Sequence, residues 1–197
     1  MTSLEAALRQ IHSDLIQAHV SFALVGGLAV SARTEPRFTR DADLAVALAS
    51  DTEAEALIHA LRTRDYHIEA IVEQEAVGRL ATVRLTRSSR PRAPVVDLLL
   101  ASSGIEREVV AEGEPIELLP GLVIDVARTG HLIALKVLSR DDVSRPQDLV
   151  DLRALLGVAS SGELARARES LALIAARGYH RGRDLLAEMK QLFDSAP

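Results

Sequence analysis

Cysteine and tryptophan are absent from this 197-residue chain, and aromatic residues make up only 3% of it. Without cysteine the protein forms no disulfide, carries no thiolate nucleophile and holds no cysteine-ligated zinc. Hydrophobic residues still amount to 48%, so we expect a core of leucine, valine, isoleucine and alanine. No apolar run reaches the length that spans a bilayer, and the N-terminus lacks the layout of a signal peptide. We therefore expect a cytoplasmic protein with no membrane partner.

The length and the order of the apolar patterns favour a single α/β (α+β) domain with a helical extension. Short apolar runs bounded by turn formers, typical of buried strands, lie before residue 126. Patterns with helical spacing dominate after it. We predict a small mixed sheet within a core over residues 1–126, and a helical C-terminal part over residues 127–197 that packs on this core. The net charge of −5 does not by itself suggest a nucleic-acid partner.

The stretch from Phe22 to Val46 contains the most informative pattern. An apolar run breaks on Gly26-Gly27, and Asp41-Ala42-Asp43 then opens a second apolar run. Residues i and i+2 of a strand project from the same face, so Asp41 and Asp43 are predicted to point the same way. Two parallel carboxylates are costly to bury, and a divalent cation such as Mg²⁺ removes that cost while bridging substrate phosphates. The pattern indicates a metal and triphosphate site.

Each half of this pattern also has an ordinary structural explanation. A Gly-Gly pair is most often only a turn, and an Asp-x-Asp is most often a solvated strand edge. The combination of strand, Gly-Gly, short helix and Asp-x-Asp favours a site. Residues 28–33 are predicted to form that helix, whose exposed N–H groups receive phosphate oxygens at its N-terminus.

Three residues before the second strand are candidates for contact with the nucleotide. Arg37 and Arg40 flank the carboxylates, either as surface charges or with one of them gripping the triphosphate, since a guanidinium pairs bidentately with phosphate. Thr39 shares the face of Asp41, and its hydroxyl either contacts phosphate or orients the loop.

The sequence Gly26-Gly27, followed by Arg37 to Leu44 (RFTRDADL), resembles the signature of the AbiEii-type nucleotidyltransferases. These belong to the polymerase-beta-like superfamily and include the MenT-like toxins of toxin–antitoxin pairs. The usual Gly-Ser of the superfamily is Gly-Gly here. The resemblance implies a polymerase-beta-like fold and makes Gly26 and Gly27 part of the nucleotide site.

One acid interrupts the next strongly apolar strand, residues 94–101 (PVVDLLLA). An isolated carboxylate there needs a partner, and from the residues alone Asp97 is as readily a salt-bridged core residue as a ligand. The superfamily pattern calls for a third acid on a neighbouring strand. By that resemblance Asp97 is a metal ligand, or the general base acting on an incoming hydroxyl.

A second informative stretch covers residues 129–156. Lys136 lies in an otherwise apolar helix, and only one other lysine, Lys190, occurs in the chain. Pro146 suits the first position of the next helix. In that helix Asp148 and Asp151 share a face, although the helix dipole alone also explains Asp148. Resemblance to AbiEii-type proteins implies that Lys136 contacts the nucleotide phosphates and that Asp151 completes the catalytic site, with Asp148 in reserve.

Two further segments carry weaker predictions. Arginines at positions 84, 87, 90 and 92 indicate either a solvated loop or a contact with an RNA backbone. Residues 106–117 read as irregular because Gly113 and Pro115 interrupt them, and residues 122–126 read as a short strand at a sheet edge.

These patterns together predict a Mg²⁺-dependent nucleotidyltransferase with an NTP as substrate. Resemblance to the MenT-like toxins implies a toxin with a cognate antitoxin, acting on the 3′ end of tRNA so that aminoacylation is blocked. Two alternatives stay open. One is transfer to a protein side chain or a small molecule such as an aminoglycoside. The other is a catalytically silent binding module, including the antitoxin half of a pair.

Overall fold

The computed structural model describes residues 3–87, 93–141 and 146–194, which contain seven strands and eight helices. The strands are β1 (Phe22–Val25), β2 (Asp41–Val46), β3 (His67–Gln74), β4 (Arg79–Thr86), β5 (Val95–Leu99), β6 (Glu114–Leu119) and β7 (Leu122–Val126). The helices are α1 (Ser3–Gln17), α2 (Gly26–Arg33), α3 (Asp51–Arg62), α4 (Glu106–Ala111), α5 (Thr129–Ser139), α6 (Pro146–Val158), α7 (Ser161–Ala176) and α8 (Leu185–Asp194). Within these residues no helix has the length and apolar character needed to cross a membrane.

All seven strands belong to one mixed sheet with the order β3-β4-β5-β2-β1-β7-β6. Strand β2 pairs antiparallel with β1 and parallel with β5, and β1 pairs parallel with β7. The remaining neighbours are antiparallel. The predicted α/β class and mixed sheet are therefore confirmed, although the sheet is larger than expected. Its central strands β1, β2 and β5 include the strand that carries the Asp-x-Asp pair.

The core is aliphatic, as the composition requires. In α1, Leu8, Ile11 and Leu15 are buried, and so are all four residues of β1. Side chains from both predicted parts of the chain contribute to one contiguous hydrophobic cluster. The division at residue 126 stays a prediction.

Residues 106–119 differ from the sequence prediction of an irregular segment. They form helix α4 and then strand β6, which is the sheet edge, while β7 lies one place inside it. The prediction was wrong because Pro115 was taken as a breaker. A proline is tolerated on an edge strand, where its missing N–H faces no partner, and Pro115 stands opposite Asp125 in the β6–β7 pair.

The position of α5, which carries Lys136, is fixed by close contact with α7. A Cβ atom on Gly130 would lie 2.4 Å from the carbonyl oxygen of Glu163, so the glycine allows the two helices to approach. Glu163 Oε2 accepts a hydrogen bond of 2.6 Å from the Gly130 N–H at the start of α5. The Ser160 hydroxyl caps α7 by accepting from the Glu163 N–H at 3.2 Å, as its sequence spacing predicts.

Candidate active site

Three carboxylates lie on one face of the central sheet. Asp41 and Asp43 are two positions apart on β2, and Asp97 on β5 stands directly opposite Asp43. Residues paired across neighbouring strands share a face, so the sheet register brings together acids that lie more than fifty positions apart in sequence. Asp97 is buried, whereas the side chain of Asp41 is 42% exposed.

The negative charge of this cluster is not fully compensated. Burial raises the pKa of Asp43 from 3.8 to about 6, and the charges of Asp97 and Asp41 add to the increase. The Lys136 ammonium and the Gly27 N–H act in the opposite direction without cancelling it. A cation bound beside Asp43 would remove this unfavourable interaction.

The Gly26-Gly27 turn lies against the acids. Gly26 has φ +63°, and a Cβ atom there would lie 1.9 Å from Asp43 Oδ2. A Cβ on Gly27 would meet the Arg37 guanidinium at 2.8 Å and the Thr39 hydroxyl at 3.0 Å. Only glycine at position 26 allows the Asp43 carboxylate to pack on the backbone. Helix α2 begins at Gly26, two residues earlier than predicted.

The ammonium group of Lys136 lies between two carboxylates of α6. Its Nζ atom donates to Asp148 Oδ1 at 2.6 Å and lies 2.7 Å from Asp151 Oδ2. Ser139 donates to the other oxygen of Asp148 at 3.2 Å. Arg37 Nη2 donates to Asp151 Oδ2 at 2.7 Å, while its Nε is 2.7 Å from Oδ1 without the alignment of a hydrogen bond. These ion pairs thus connect helix α5, helix α6 and the segment before β2.

Asp151 is held in its ionised form by these contacts. Burial alone would raise its pKa, but hydrogen bonds from Arg37, Lys136 and Gln147 outweigh burial and lower the pKa below 3.8. The helix dipole does not account for this acid. The contacts of Asp151 with Lys136 and Arg37 fix the positions of these two positive charges.

A further ion pair lies on the other side of the acid cluster. Arg84 on β4 stands opposite Asp97 and makes a bidentate contact with it, Nε to Oδ1 at 2.9 Å and Nη2 to Oδ2 at 2.6 Å. Nη2 is also 3.9 Å from Asp41 Oδ2. The bond to Asp97 raises the pKa of Arg84 above its ordinary value. Asp97, predicted as a metal ligand or base, is therefore paired with arginine in this structure.

Except for Asp151, which is buried behind Lys136 and Arg37, these groups line one cleft of about 780 Å³, within the range typical of small-molecule sites. The lining includes the glycine turn, Gly26 and Gly27. Its polar and charged residues are Arg37, Thr39, Asp41, Asp43, Thr82, Arg84, Asp97, Ser102, Ser103, Lys136, Ser139, Gln147, Asp148 and Arg181. Leu99, Leu132 and Leu135 contribute apolar walls.

The structure separates the two arginines that flank the Asp-x-Asp pair. Arg37 and Thr39 line the cleft, whereas Arg40 is exposed outside it, with its guanidinium carbon 5.6 Å from the centre of the Phe38 ring. Arg84, Lys136, Asp148 and the acids of the sheet are brought together as described above. Arg90 and Arg92 of the arginine run lie outside the described residues.

Sequence reasoning missed part of the cleft wall. Ser102 and Ser103 follow β5, and both backbone N–H groups donate to Glu106 Oε1, at 2.8 and 2.7 Å, as do both hydroxyls, at 3.2 and 2.8 Å. The Ser-x-x-Glu spacing of Ser103 and Glu106 is a capping-box signal that could have identified this loop. Gln147 and Arg181 carried no comparable signal.

The carboxylates of the cleft suit a metal ion that is shared with the substrate. Among the described residues no three histidine, aspartate or glutamate side chains form a ready-made metal cage. Mg²⁺ does not require one, because it keeps several waters and binds through one or two carboxylates together with substrate phosphates. The hard oxygen ligands of Asp41 and Asp43, with their excess negative charge, fit that mode of binding.

Solved structures with the same fold are nucleotidyltransferases. This chain is similar to an antigenic nucleotidyltransferase-like protein from Paracoccidioides brasiliensis, with a TM-score of 0.53 and 19% identity. The match covers 95% of this chain and 92% of that one. ANT(2″)-Ia in complex with adenylyl-2″-tobramycin gives a TM-score of 0.56 at 15% identity, covering 89% of this chain and 97% of that one. The lincosamide antibiotic adenylyltransferase LnuA, bound to lincomycin, gives 0.50 at 15% identity, covering 79% and 98%. No curated protein matches the sequence.

The fold and the family together define the class, a nucleotidyltransferase. Residues 13–197 match the family described as nucleotidyl transferase AbiEii toxin of type IV toxin–antitoxin systems. The chain belongs to this family, and the resemblance seen in its sequence motifs is confirmed.

Proposed function

We propose that this nucleotidyltransferase is a Mg²⁺-dependent toxin that transfers NMP from an NTP to the 3′ end of tRNA and thereby blocks aminoacylation. The observation that carries the proposal is the convergence, in one cleft, of Asp41, Asp43 and Asp97 with the glycine turn and Lys136. The family match supports the toxin role and makes a cognate antitoxin the expected partner.

Asp41 and Asp43 would hold the metal. Asp97 is the third predicted ligand, although both of its oxygens already accept hydrogen bonds from Arg84. When bound, Mg²⁺ neutralises charge on the triphosphate and on the leaving group. The raised pKa of Asp43 supports this assignment, since its carboxylate lacks a compensating cation.

Binding of the triphosphate is assigned to the glycine turn and the cations beside it. Gly26 and Gly27 let phosphate approach the backbone, and Arg37 lies beside Gly27. Lys136, whose charge acts on Asp43, lies within electrostatic reach of the acid pair. Asp148 and Asp151 fix the direction of these cations. Thr39 lines the same part of the cleft, while the position of Arg40 gives its predicted phosphate contact less support.

In the proposed reaction, an acceptor hydroxyl forms a new bond to the α-phosphorus and the bond from this phosphorus to its bridging oxygen breaks. Pyrophosphate leaves with that oxygen. Asp41, the more exposed carboxylate, receives the hydroxyl proton, and Lys136 with Arg37 stabilises the charge that moves onto pyrophosphate.

The acceptor distinguishes the main proposal from its alternatives. The antibiotic-modifying enzymes with the same fold make a small molecule the second candidate, and a protein side chain is the third. Arg37, Arg84 and Lys136 in the cleft suit the phosphates of an RNA acceptor, whereas its carboxylates suit the ammonium groups of an aminoglycoside.

Label transfer tests the proposal. The protein is incubated with each α-labelled NTP, Mg²⁺ and either total tRNA, total protein or an aminoglycoside. We expect label at the tRNA 3′ end, loss of labelling with Asp41→Ala, and unchanged labelling with Asp125→Ala, a matched change of an exposed acid on β7. Label on protein or drug instead would replace the tRNA proposal. Harmless expression without any transfer would support a silent binding module.

A further inference from the structure

We propose that Arg84 binds a phosphate oxyanion of the substrates in this cleft, and that Asp97 is a positioning residue which holds Arg84 for that contact. This inference rests on the proposed function and assigns it a residue beyond the acid pair, the glycine turn and Lys136.

Two of the three nitrogens of the Arg84 guanidinium are held by Asp97. Nε and Nη2 are used for the two bonds to Asp97, which is 7% exposed. No acceptor within the described part of the chain takes a hydrogen bond from Nη1, and the Arg84 side chain is 45% exposed in the cleft. A planar fork fixed along one edge presents its remaining N–H groups in a defined direction, which suits the recognition of phosphate.

The position of Arg84 in the sheet separates it from the glycine turn. Arg84, Asp97 and Asp43 form a row across β4, β5 and β2, and Val25, which precedes the glycine turn, stands opposite Asp43 on β1. Arg84 therefore lies on the opposite side of the acids from the glycine turn. With the triphosphate against the glycine turn, the acceptor enters the cleft on the side of the acids where Arg84 lies. A phosphate of the acceptor is therefore the ligand that we assign to Arg84.

The carboxylate of Asp97 is fully engaged by Arg84. Both of its oxygens accept from Arg84 at 2.6 to 2.9 Å. A buried carboxylate engaged in this way is already charge-compensated, unlike Asp43, so it has less need of a metal. Its action on the substrates then passes through Arg84.

The test removes both charges at once, because Arg84→Gln alone leaves a buried carboxylate unpaired and risks unfolding. The variants are Arg84→Gln with Asp97→Asn, Asp97→Asn alone, and Arg84→Lys. The matched control is Arg79→Gln with Asp51→Asn, which removes another ion pair of β4, of 2.6 Å, outside the cleft. Circular dichroism establishes that each variant is folded.

Two ligands distinguish the sources of phosphate. Binding of a non-hydrolysable NTP analogue with Mg²⁺ reports on the triphosphate, and the KM and kcat for a single-stranded RNA with a free 3′ hydroxyl report on the acceptor. We expect the double variant to raise the RNA KM about tenfold or more, since a charge-assisted contact is lost, with a much smaller effect on binding of the NTP analogue. Weaker binding of the NTP analogue would instead assign Arg84 to the triphosphate.

Further outcomes decide the roles of the two residues. Asp97→Asn alone should raise the KM as much as the double variant, and Arg84→Lys should restore part of the loss. Unchanged NTP and RNA constants in the folded double variant would overturn the proposal for Arg84. A tenfold loss of Mn²⁺ affinity in Asp97→Asn, measured by electron paramagnetic resonance, would overturn the positioning role of Asp97. Failure of the wild-type protein to bind the NTP analogue would overturn the proposed function itself, and this inference with it.

Discussion

Replacing Asp43 by asparagine should have opposite effects on the stability of the fold and on the proposed nucleotidyl transfer. The substitution keeps the shape of the side chain and an oxygen that accepts from the Gly27 N–H, but removes the charge that burial, Asp97 and Asp41 disfavour. We expect D43N to be more stable than the wild type at neutral pH and inactive in nucleotidyl transfer.

The magnitude follows from the pKa of Asp43. A rise from 3.8 to about 6 corresponds to about 3 kcal/mol, at roughly 1.4 kcal/mol for each pH unit. Asparagine keeps a polar group at this partly buried position, so we expect a gain of about 1–2 kcal/mol, or roughly 2–8 °C in Tm for a domain of this size.

The contribution of Asp43 to the stability of the fold should decrease with rising pH. A folded-state pKa above the unfolded value means that the folded protein binds the proton more tightly, so the Asp43 contribution to stability falls as pH rises from about 3.8 to about 6. Thermal unfolding measured across this window should show D43N and wild type nearly equal at pH 4 and furthest apart above pH 7. The exposed Asp41→Asn serves as control, with a smaller expected change. A difference in Tm that does not depend on pH, or a destabilised D43N at pH 8, would refute the reasoning.

Two predictions concern the helices. Lys136→Met leaves Asp148 and Asp151 without the ammonium at 2.6 and 2.7 Å, and urea unfolding should show a loss of about 3–5 kcal/mol. Gly130→Ala places a Cβ atom against the backbone of α7 and should cost about 1–3 kcal/mol. Its control Gly157→Ala, also in a helix but in open space, should gain up to about 1 kcal/mol.

Each of these helix predictions has a contrary result. A Lys136→Met variant as stable as the wild type would show that the ion pairs of Lys136 with Asp148 and Asp151 do not stabilise the fold. Equal effects of the two alanine substitutions would show that α5 and α7 are not in close contact at Gly130.

Local sequence patterns were sufficient for part of the site. Alternation along a strand places Asp41 and Asp43 together. The same alternation puts Thr39 on the cleft side, where the structure has it. It was left open whether Arg37 or Arg40 meets the nucleotide, and the structure has Arg37 in the cleft and Arg40 outside it. Helical spacing likewise predicts that Asp148 and Asp151 share a face.

Pairing between distant segments was beyond the sequence patterns. The contact of Arg84 with Asp97 depends on the register of β4 against β5, and no local signal reports a register between strands. Strand β6 was missed for a different reason, since Pro115 is an obstacle inside a sheet but acceptable at its edge.

Transfer of α-labelled NMP to tRNA, by the wild type and by D43N under the same Mg²⁺ concentration, tests the central claim most directly. The site described here predicts labelled tRNA 3′ ends with the wild type and none with D43N, although D43N is folded and more stable. Equal labelling by the two proteins would show that the chemistry does not depend on the acid cluster of the central sheet.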